Sequence, residues 1–129
     1  MRLTKSVDFS MRILIFLAKS QAPVTMPELS SRLHISYNHL SKLIQRLRKE
    51  GLIKTIQGKS GGIFLLKNPS EIDLKMVVDL MDGPTMLSQC LGDVSACHLD
   101  AECKFKMALL NVQTKINDEM KKIKLEELL

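Results

Sequence analysis

Residues 36–49 read SYNHLSKLIQRLRK, and this pattern is typical of an amphipathic helix. Four apolar residues recur at helical spacing on one face: Leu40, Leu43, Ile44 and Leu47. Such a stripe is normally buried, so the segment is predicted to pack as a helix on a hydrophobic core. Ser36 is a suitable N-cap, and Gly51 is predicted to end the helix.

The opposite face of this helix and its flanks carry polar and basic side chains and no acidic one. The residues are Ser36, Tyr37, Asn38, Ser41, Lys42, Gln45, Arg46 and Lys49. Amides and hydroxyls read base edges in the major groove of DNA, whereas Lys and Arg bind bases or phosphates. We therefore predict that this face binds double-stranded DNA. His39 lies near the apolar stripe and is predicted to pack there.

Two further helices are predicted before residue 36. Residues 25–33 start with Thr25 as N-cap and have Pro27 in the first turn, which together signal the start of a helix. A short turn at His34 and Ile35 connects this helix to the next, so the pair forms a helix-turn-helix. Residues 9–17 form the earlier helix. Its predicted buried stripe is Phe9, Ile13, Phe16 and Leu17.

Two short strand candidates follow, at residues 52–57 and 63–66. The glycine-rich loop 58–62 between them predicts a β-hairpin, because glycine adopts the positive φ values that such turns need. A helix-turn-helix followed by a hairpin predicts a winged helix, with Lys59 and Ser60 in the wing loop as candidate DNA contacts. A nucleotide-binding loop is excluded, because it needs a strand that leads into a helix.

Length and composition indicate one mostly helical domain. The chain has 129 residues, of which 45% are hydrophobic and only 4% aromatic, so its core is built from aliphatic side chains and methionine. The longest apolar run, residues 13–18, is too short to cross a membrane, and we expect a cytoplasmic protein with no membrane partner. No set of nucleophile, base and orienting group is recognisable, which argues against an enzyme.

The charge is divided unequally along the chain. Residues 1–67 contain twelve Lys and Arg and three acidic residues, a net charge of +9, whereas residues 68–129 have a net charge of −4. Such a division is expected when one half of a protein faces a polyanion such as DNA. We therefore assign residues 1–67 to a winged helix-turn-helix DNA-binding region.

The three cysteines, Cys90, Cys97 and Cys103, lie within fourteen residues of each other. They follow a short predicted helix at 74–81, and we assign residues 68–103 to this helix and the cysteine segment. An odd number of cysteines in a reducing compartment argues against a disulfide. Three thiolates favour an iron-sulfur cluster, whereas a zinc site completed by His98 and metal-free reactive thiols remain alternatives.

Residues 104–129 are predicted to form a long dimerisation helix and a C-terminal tail. Apolar residues recur along it at steps of three and four: Phe105, Leu109, Val112, Ile116, Met120 and Ile123. Such a seam at the edge of a small domain is expected to pack against a second copy, which would place two recognition helices about 34 Å apart on DNA. Packing against the first helix of the same chain is the alternative.

The chain resembles the iron-sulfur winged-helix transcriptional repressors of the NsrR and IscR family along nearly its whole length. The resemblance is carried by residues 1–5 with Asp8, 36–44, 51–55, 58–63 and the three-cysteine segment. In the IscR-like pattern a histidine follows the last cysteine by three residues, and here that position is Lys106. A protonated lysine cannot bind a metal, so the chain is more similar to the nitric-oxide-sensing NsrR branch.

The resemblance implies a homodimeric repressor with a 4Fe-4S cluster on Cys90, Cys97 and Cys103. It also implies that Asp8 of the partner subunit is the fourth ligand, with His98 as the other candidate, and that nitric oxide causes the release of operator DNA. An IscR-like 2Fe-2S regulator of redox or iron status and a zinc-stabilised regulator are the alternatives. A small electron carrier would not need the wing or the basic N-terminal half.

Overall fold

The computed structural model of the protein describes residues 1–92 and 103–129. In these residues, five α-helices and one two-stranded sheet follow each other along the chain. Their bounds are α1 Lys5–Lys19, α2 Met26–Leu33, α3 Tyr37–Lys49, β1 Ile53–Ile56, β2 Gly62–Leu65, α4 Leu74–Asp82 and α5 Lys104–Lys122. The predicted mostly helical winged helix-turn-helix is confirmed. No helix in the described residues is both long and apolar enough to span a membrane.

Both helices of the helix-turn-helix begin at the capping residue that the sequence indicates. The hydroxyls of Thr25 and Ser36 each accept a hydrogen bond from the backbone N–H three residues further on, at 3.3 Å in both cases. His34 ends α2 in the left-handed conformation, with φ 53°, and its N–H donates to the Ser30 carbonyl. This short turn packs α3 against α2.

The apolar stripe predicted for α1 packs on the core, but only two of its four residues are buried. Ile13 and Leu17 are buried, but Phe9 and Phe16 are only partly buried, and α1 begins at Lys5 rather than at residue 9. The other buried residues of α1 are Val7, Ser10 and Leu14. The Phe9 ring packs edge-on against His39, with ring centroids 5.3 Å apart, at the margin of the core. The two aromatic side chains of α1 therefore lie at the edge of the core, and the smaller buried side chains of this helix fill its centre.

The wing is fixed to the domain by the segment between α1 and α2. β1 and β2 pair in antiparallel register, with Ile53 opposite Leu65. β1 is one residue shorter at each end than predicted, and β2 has the predicted length but begins and ends one residue earlier. Val24 and Ile63 form an additional bridge, in which their backbone groups exchange hydrogen bonds of 2.8 and 2.7 Å. Ile53, Val24 and Ile63 are buried, so the base of the wing belongs to the core.

The C-terminal tail returns to the segment that precedes α4. The Leu125 N–H donates to the Ile72 carbonyl at 2.8 Å, and the Leu74 N–H donates to the Ile123 carbonyl at 3.0 Å. The Leu125 side chain is fully buried, as is most of Met120 near the end of α5. The C-terminal end of α5 and the tail are therefore part of the same core as α1 and α4.

The apolar seam predicted along α5 divides into a buried and an exposed part. Met120 is buried, and Ile116 is partly buried against the core. Phe105 and Val112, nearer the start of the helix, are 68% and 47% exposed. Within the described residues, α5 packs on α4 through its C-terminal half, and its N-terminal half leaves apolar side chains uncovered.

We expect Leu125→Ala to lower the free energy of unfolding by about 2–5 kcal/mol, because it removes methyl groups from a fully buried side chain. Leu128→Ala is the matched control, since Leu128 lies in the same 3₁₀ turn and is 39% exposed. The control should change this free energy by about 0.5 kcal/mol or less. Urea unfolding followed by circular dichroism measures both. Equal effects of the two substitutions would show that the tail does not enter the core.

Candidate nucleic-acid interface and cysteine segment

All ten side chains that the sequence predicts to contact DNA are exposed. Eight of them belong to α3 and its N-cap, and Lys59 and Ser60 lie in the loop between β1 and β2. The opposite stripe of α3 is buried, with Leu40 and Leu47 completely enclosed. Burial of this stripe turns the polar face of α3 toward solvent, where no acidic side chain of the helix interrupts it.

A cleft of about 490 Å³ lies between the polar face of α3 and the wing. Tyr37, Ser41 and Gln45 line its α3 wall, and Thr55 and Gln57 line the wall that the hairpin contributes. Three of the predicted DNA contacts therefore share a surface with residues of the wing. This arrangement lets one ligand touch the helix and the hairpin at the same time.

Arg48 belongs to this surface, although the sequence pattern did not select it. The Arg48 Nη1 donates to the Thr55 Oγ1 at 3.5 Å, which connects the last turn of α3 to β1. A helical wheel places Arg48 only on a flank of α3, and the position of β1 shows that this flank faces the wing. For Thr55 no sequence signal exists, because its role depends on the packing of the hairpin.

Glycines determine the path of the wing loop. The Gly61 N–H donates to the carbonyl three residues earlier at 3.1 Å and closes the turn. A Cβ atom at Gly61 would overlap the backbone carbonyl of Ile56, and one at Gly62 would lie 2.9 Å from the Val24 carbonyl oxygen. A larger residue at either position would displace the hairpin that carries Lys59.

The guanidinium of Arg46, another predicted DNA contact, is already hydrogen-bonded within the chain. Its Nη1 donates to the carbonyl oxygen of Met81, 3.3 Å away in the last turn of α4. The next residue, Asp82, accepts a hydrogen bond of 2.6 Å from the hydroxyl of Thr4, the N-cap of α1. The C-terminal turn of α4 therefore contacts both α3 and the start of α1.

Cys90 and Cys103 lie in the described part of the chain as partly buried free thiols. Cys90 is the central residue of the 3₁₀ turn Gln89–Leu91, which packs against α5. Its Sγ donates to the hydroxyl of Ser88 at 3.3 Å. Cys97 and His98, the other predicted ligands on this segment, lie outside the described residues.

Cys103 is the N-cap of α5, and its Sγ accepts a hydrogen bond from the Lys106 N–H at 3.4 Å. The N-terminus of a helix stabilises negative charge, so this position suits a thiolate that binds a metal. Because α5 also contacts the turn that contains Cys90, one helix positions both thiols, and these donors fit an iron-sulfur cluster. In residues 1–92 and 103–129 no three His, Cys, Asp or Glu side chains form a metal-binding group.

Asp8, the predicted fourth ligand, lies on the surface in the first turn of α1. Its carboxylate pairs with Arg12 one turn later, with 3.1 Å between Oδ2 and Nη2. The two side chains are about half exposed, 48% for Asp8 and 57% for Arg12. An exposed pair of this kind contributes about 1 kcal/mol or less, so the carboxylate exchanges partners at little cost.

Comparisons with known proteins cover nearly the whole chain. Residues 3–129 match the Rrf2 family, which is described as an iron-dependent transcriptional regulator. The HTH-type transcriptional regulator NsrR of Halalkalibacterium halodurans is 34% identical over 132 residues, which cover 100% of this chain and 90% of that protein. The HTH-type transcriptional regulator IscR of Pectobacterium atrosepticum is 32% identical over 130 residues, which cover 99% of this chain and 79% of that protein.

Among solved structures, CymR, the global cysteine regulator of B. subtilis, is similar with a TM-score of 0.81. The match covers 99% of this chain and 95% of that chain at 21% sequence identity. At this level of identity the likeness establishes a common fold.

Proposed function

The chain belongs to the Rrf2 family of transcriptional regulators, and we propose that it is a homodimeric iron-sulfur repressor that releases operator DNA in response to nitric oxide. Family membership confirms the resemblance to NsrR and IscR and the prediction of a regulator rather than an enzyme. The observation that carries the proposal is the position of α5. This helix contacts the turn of Cys90, has Cys103 as its N-cap, and packs through Met120 on the core that α1 and α3 share.

We assign DNA recognition to the polar face of α3 and to the wing. The amides of Asn38 and Gln45 are suited to base edges, and the ammonium groups of Lys42 and Lys49 are suited to phosphates. The remaining contacts in this assignment are Ser36, Tyr37 and Ser41 on the helix and Lys59 and Ser60 on the wing. All these side chains are exposed, and three of them line the cleft between α3 and the wing, which supports the assignment.

We assign the cluster to Cys90, Cys97 and Cys103, with Asp8 of the partner subunit as fourth ligand. Such a cluster, when bound, supplies iron that reacts with nitric oxide. Cys103 contributes a thiol at the N-cap of α5, and the exposed carboxylate of Asp8 pairs with Arg12 through Oδ2. An oxygen ligand is harder than a thiolate and suits cluster iron less well, so this is the position most readily opened.

An IscR-like 2Fe-2S regulator is the second candidate, because an IscR is among the relatives that match almost the whole chain. Lys106, at the position of the histidine in the IscR-like pattern, is the observation against it. The ratio of iron to protein distinguishes the two cluster types. A zinc-stabilised regulator would contain zinc in place of iron and sulfide.

The uncovered half of α5 supports a homodimer. Phe105, Met107 and Val112 are 68%, 64% and 47% exposed on this one helix. An apolar groove of about 530 Å³ lies beside it, between the N-terminal segment, α4 and α5. A second copy of the chain would cover these surfaces and supply the two-fold symmetry of a palindromic operator. We propose a cytoplasmic location, because the proposed cluster needs reduced thiols and the proposed ligand is DNA.

The Cys103→Ser variant tests the cluster. Serine is a good N-cap, so α5 should form as before while the metal-binding thiolate is lost. After purification without oxygen, we expect wild-type protein to contain iron and sulfide and the Cys103→Ser variant to contain far less of both. The helical circular dichroism signal should be the same in the two proteins. Operator DNA selected from a random library should bind the variant as weakly as it binds chelator-treated wild type. Equal iron and sulfide in both proteins would contradict the assignment.

The Lys42→Ala variant tests a phosphate contact on α3. Loss of one contact should lower the slope of log affinity against log salt by about 0.9, because fewer counterions are released from the DNA. Lys121→Ala is the control, since Lys121 is an exposed lysine in the last turn of α5. Fluorescence anisotropy with labelled operator measures both slopes. An unchanged slope for Lys42→Ala removes this residue from the interface.

The Val112→Glu variant tests the dimer. A carboxylate placed in an apolar interface should weaken association by about 100-fold or more. Thr114→Glu is the matched control, because Thr114 is exposed on α5 two residues further on and points to a different side of the helix. Sedimentation velocity should find Val112→Glu as a monomer and Thr114→Glu as a dimer. Dimers of equal strength in both variants would place the interface elsewhere.

A further inference from the structure

The last turn of α4 has no basic residue of its own. The C-terminal end of a helix carries partial negative charge, and here Asp79 and Asp82 add to it. Lys75 pairs with Asp79 from one turn earlier, which leaves the end of the helix at Met81 and Asp82 without a cation from α4. A positive group from another element would therefore stabilise this turn.

Arg46 of α3 provides that positive group. The Met81 carbonyl is one of the last four of α4, which have no N–H partner within a helix, and the Arg46 Nη1 donates to it at 3.3 Å. The Gly83 N–H satisfies the carbonyl of Asp79 instead. Arg46 thus caps α4 from α3, one turn after Lys42 on the polar face of the recognition helix.

The capped turn also connects to the two parts of the proposed cluster site. Asp82 accepts the hydrogen bond of Thr4 at the start of α1, the helix that carries Asp8. Directly after Asp82 the chain turns at Gly83, with φ 77°, and continues to the 3₁₀ turn that contains Cys90. A displacement of the cysteine segment or of α1 would therefore act on the same turn that Arg46 caps.

We propose that Arg46 is a positioning residue that couples the cysteine segment to the recognition helix, rather than a DNA contact. This inference rests on the proposed function, because it requires that the cluster controls DNA binding. A displacement of less than about 1 Å at the end of α4 would break a 3.3 Å hydrogen bond. The orientation of α3 then depends on the position of α4, and through α4 on the cysteine segment.

The test compares Arg46→Ala with Lys42→Ala. For each variant, operator affinity is measured at several salt concentrations, once with cluster-loaded protein and once with iron-free protein. Oxygen is excluded throughout. We expect Lys42→Ala to lower the salt slope by about 0.9 and to leave the loaded-to-iron-free affinity ratio unchanged. Arg46→Ala should keep the wild-type slope and lower this ratio by a factor of about 5 or more. A lower slope with an unchanged ratio would make Arg46 an ordinary phosphate contact and would overturn the proposal.

A second measurement needs neither DNA nor the cluster. Amide hydrogen exchange of iron-free protein should be faster around residues 79–83 in Arg46→Ala than in wild type. It should be unchanged in Lys42→Ala because, of these two side chains, Arg46 is the one that donates to the last turn of α4. Unchanged exchange in Arg46→Ala would overturn the contact on which the coupling depends. If Arg46→Ala does not fold, Arg46→Met keeps the aliphatic stem without the charge or the N–H donors and should still lower the affinity ratio.

The two proposals fail in different ways. A wild-type protein with the same operator affinity in its loaded and iron-free forms would overturn the proposed function, and the coupling with it. In the other case, loss of iron changes the operator affinity of wild type and of Arg46→Ala by the same factor. This result would overturn only the role of Arg46.

Discussion

Leu40, Leu43, Ile44 and Leu47 leave water when α3 packs against α1, α2 and β1. Burial of each side chain contributes about 1.5–3 kcal/mol, whereas rotation of the helix would expose this stripe and bury the charges of Lys42 and Lys49. The rotation of α3 about its own axis is therefore fixed, and its polar face points to solvent. The cleft beside the wing and the arrangement of the proposed DNA contacts follow from this packing.

The cysteine segment is connected to the same core by α4 and α5. Met120 near the end of α5 is buried, and the tail pairs with residues before α4, while Cys103 lies at the opposite end of the helix. The last turn of α4 contacts α3 through Arg46 and α1 through Thr4. In the proposed function, these two helices are the physical connection between a change at the cysteines and the surface that meets DNA.

The sequence predicted those elements that have a strong local signal. The apolar stripe of α3, the caps at Thr25 and Ser36, the glycine loop of the wing and the short helix α4 are all present in the structure. The stripe that helical spacing predicted for α1 packs on the core, but Phe9 and Phe16 lie at its margin and only Ile13 and Leu17 of the four are buried. A local pattern does not predict how deeply a residue is buried where that burial depends on packing against a neighbouring helix or strand.

Contacts between distant parts of the chain had no local signal at all. The backbone pairing of Leu125 with Ile72 joins segments that are far apart in sequence. Arg46 donates to a main-chain carbonyl, which every residue type has, so the identity of Met81 gives no signal for this contact. Arg48 and Thr55 meet only because β1 packs beside α3. The cluster assignment itself comes from the cysteine spacing and the family resemblance, and it remains a proposal.

The most direct test of the account is a titration of nitric oxide into oxygen-free native protein bound to labelled operator DNA. The visible absorbance of the cluster and the anisotropy of the DNA are recorded in the same sample. The account predicts that both signals change together, over the same range of added nitric oxide, and that the DNA is released. A colourless protein, or DNA that stays bound after the absorbance has been lost, would contradict it.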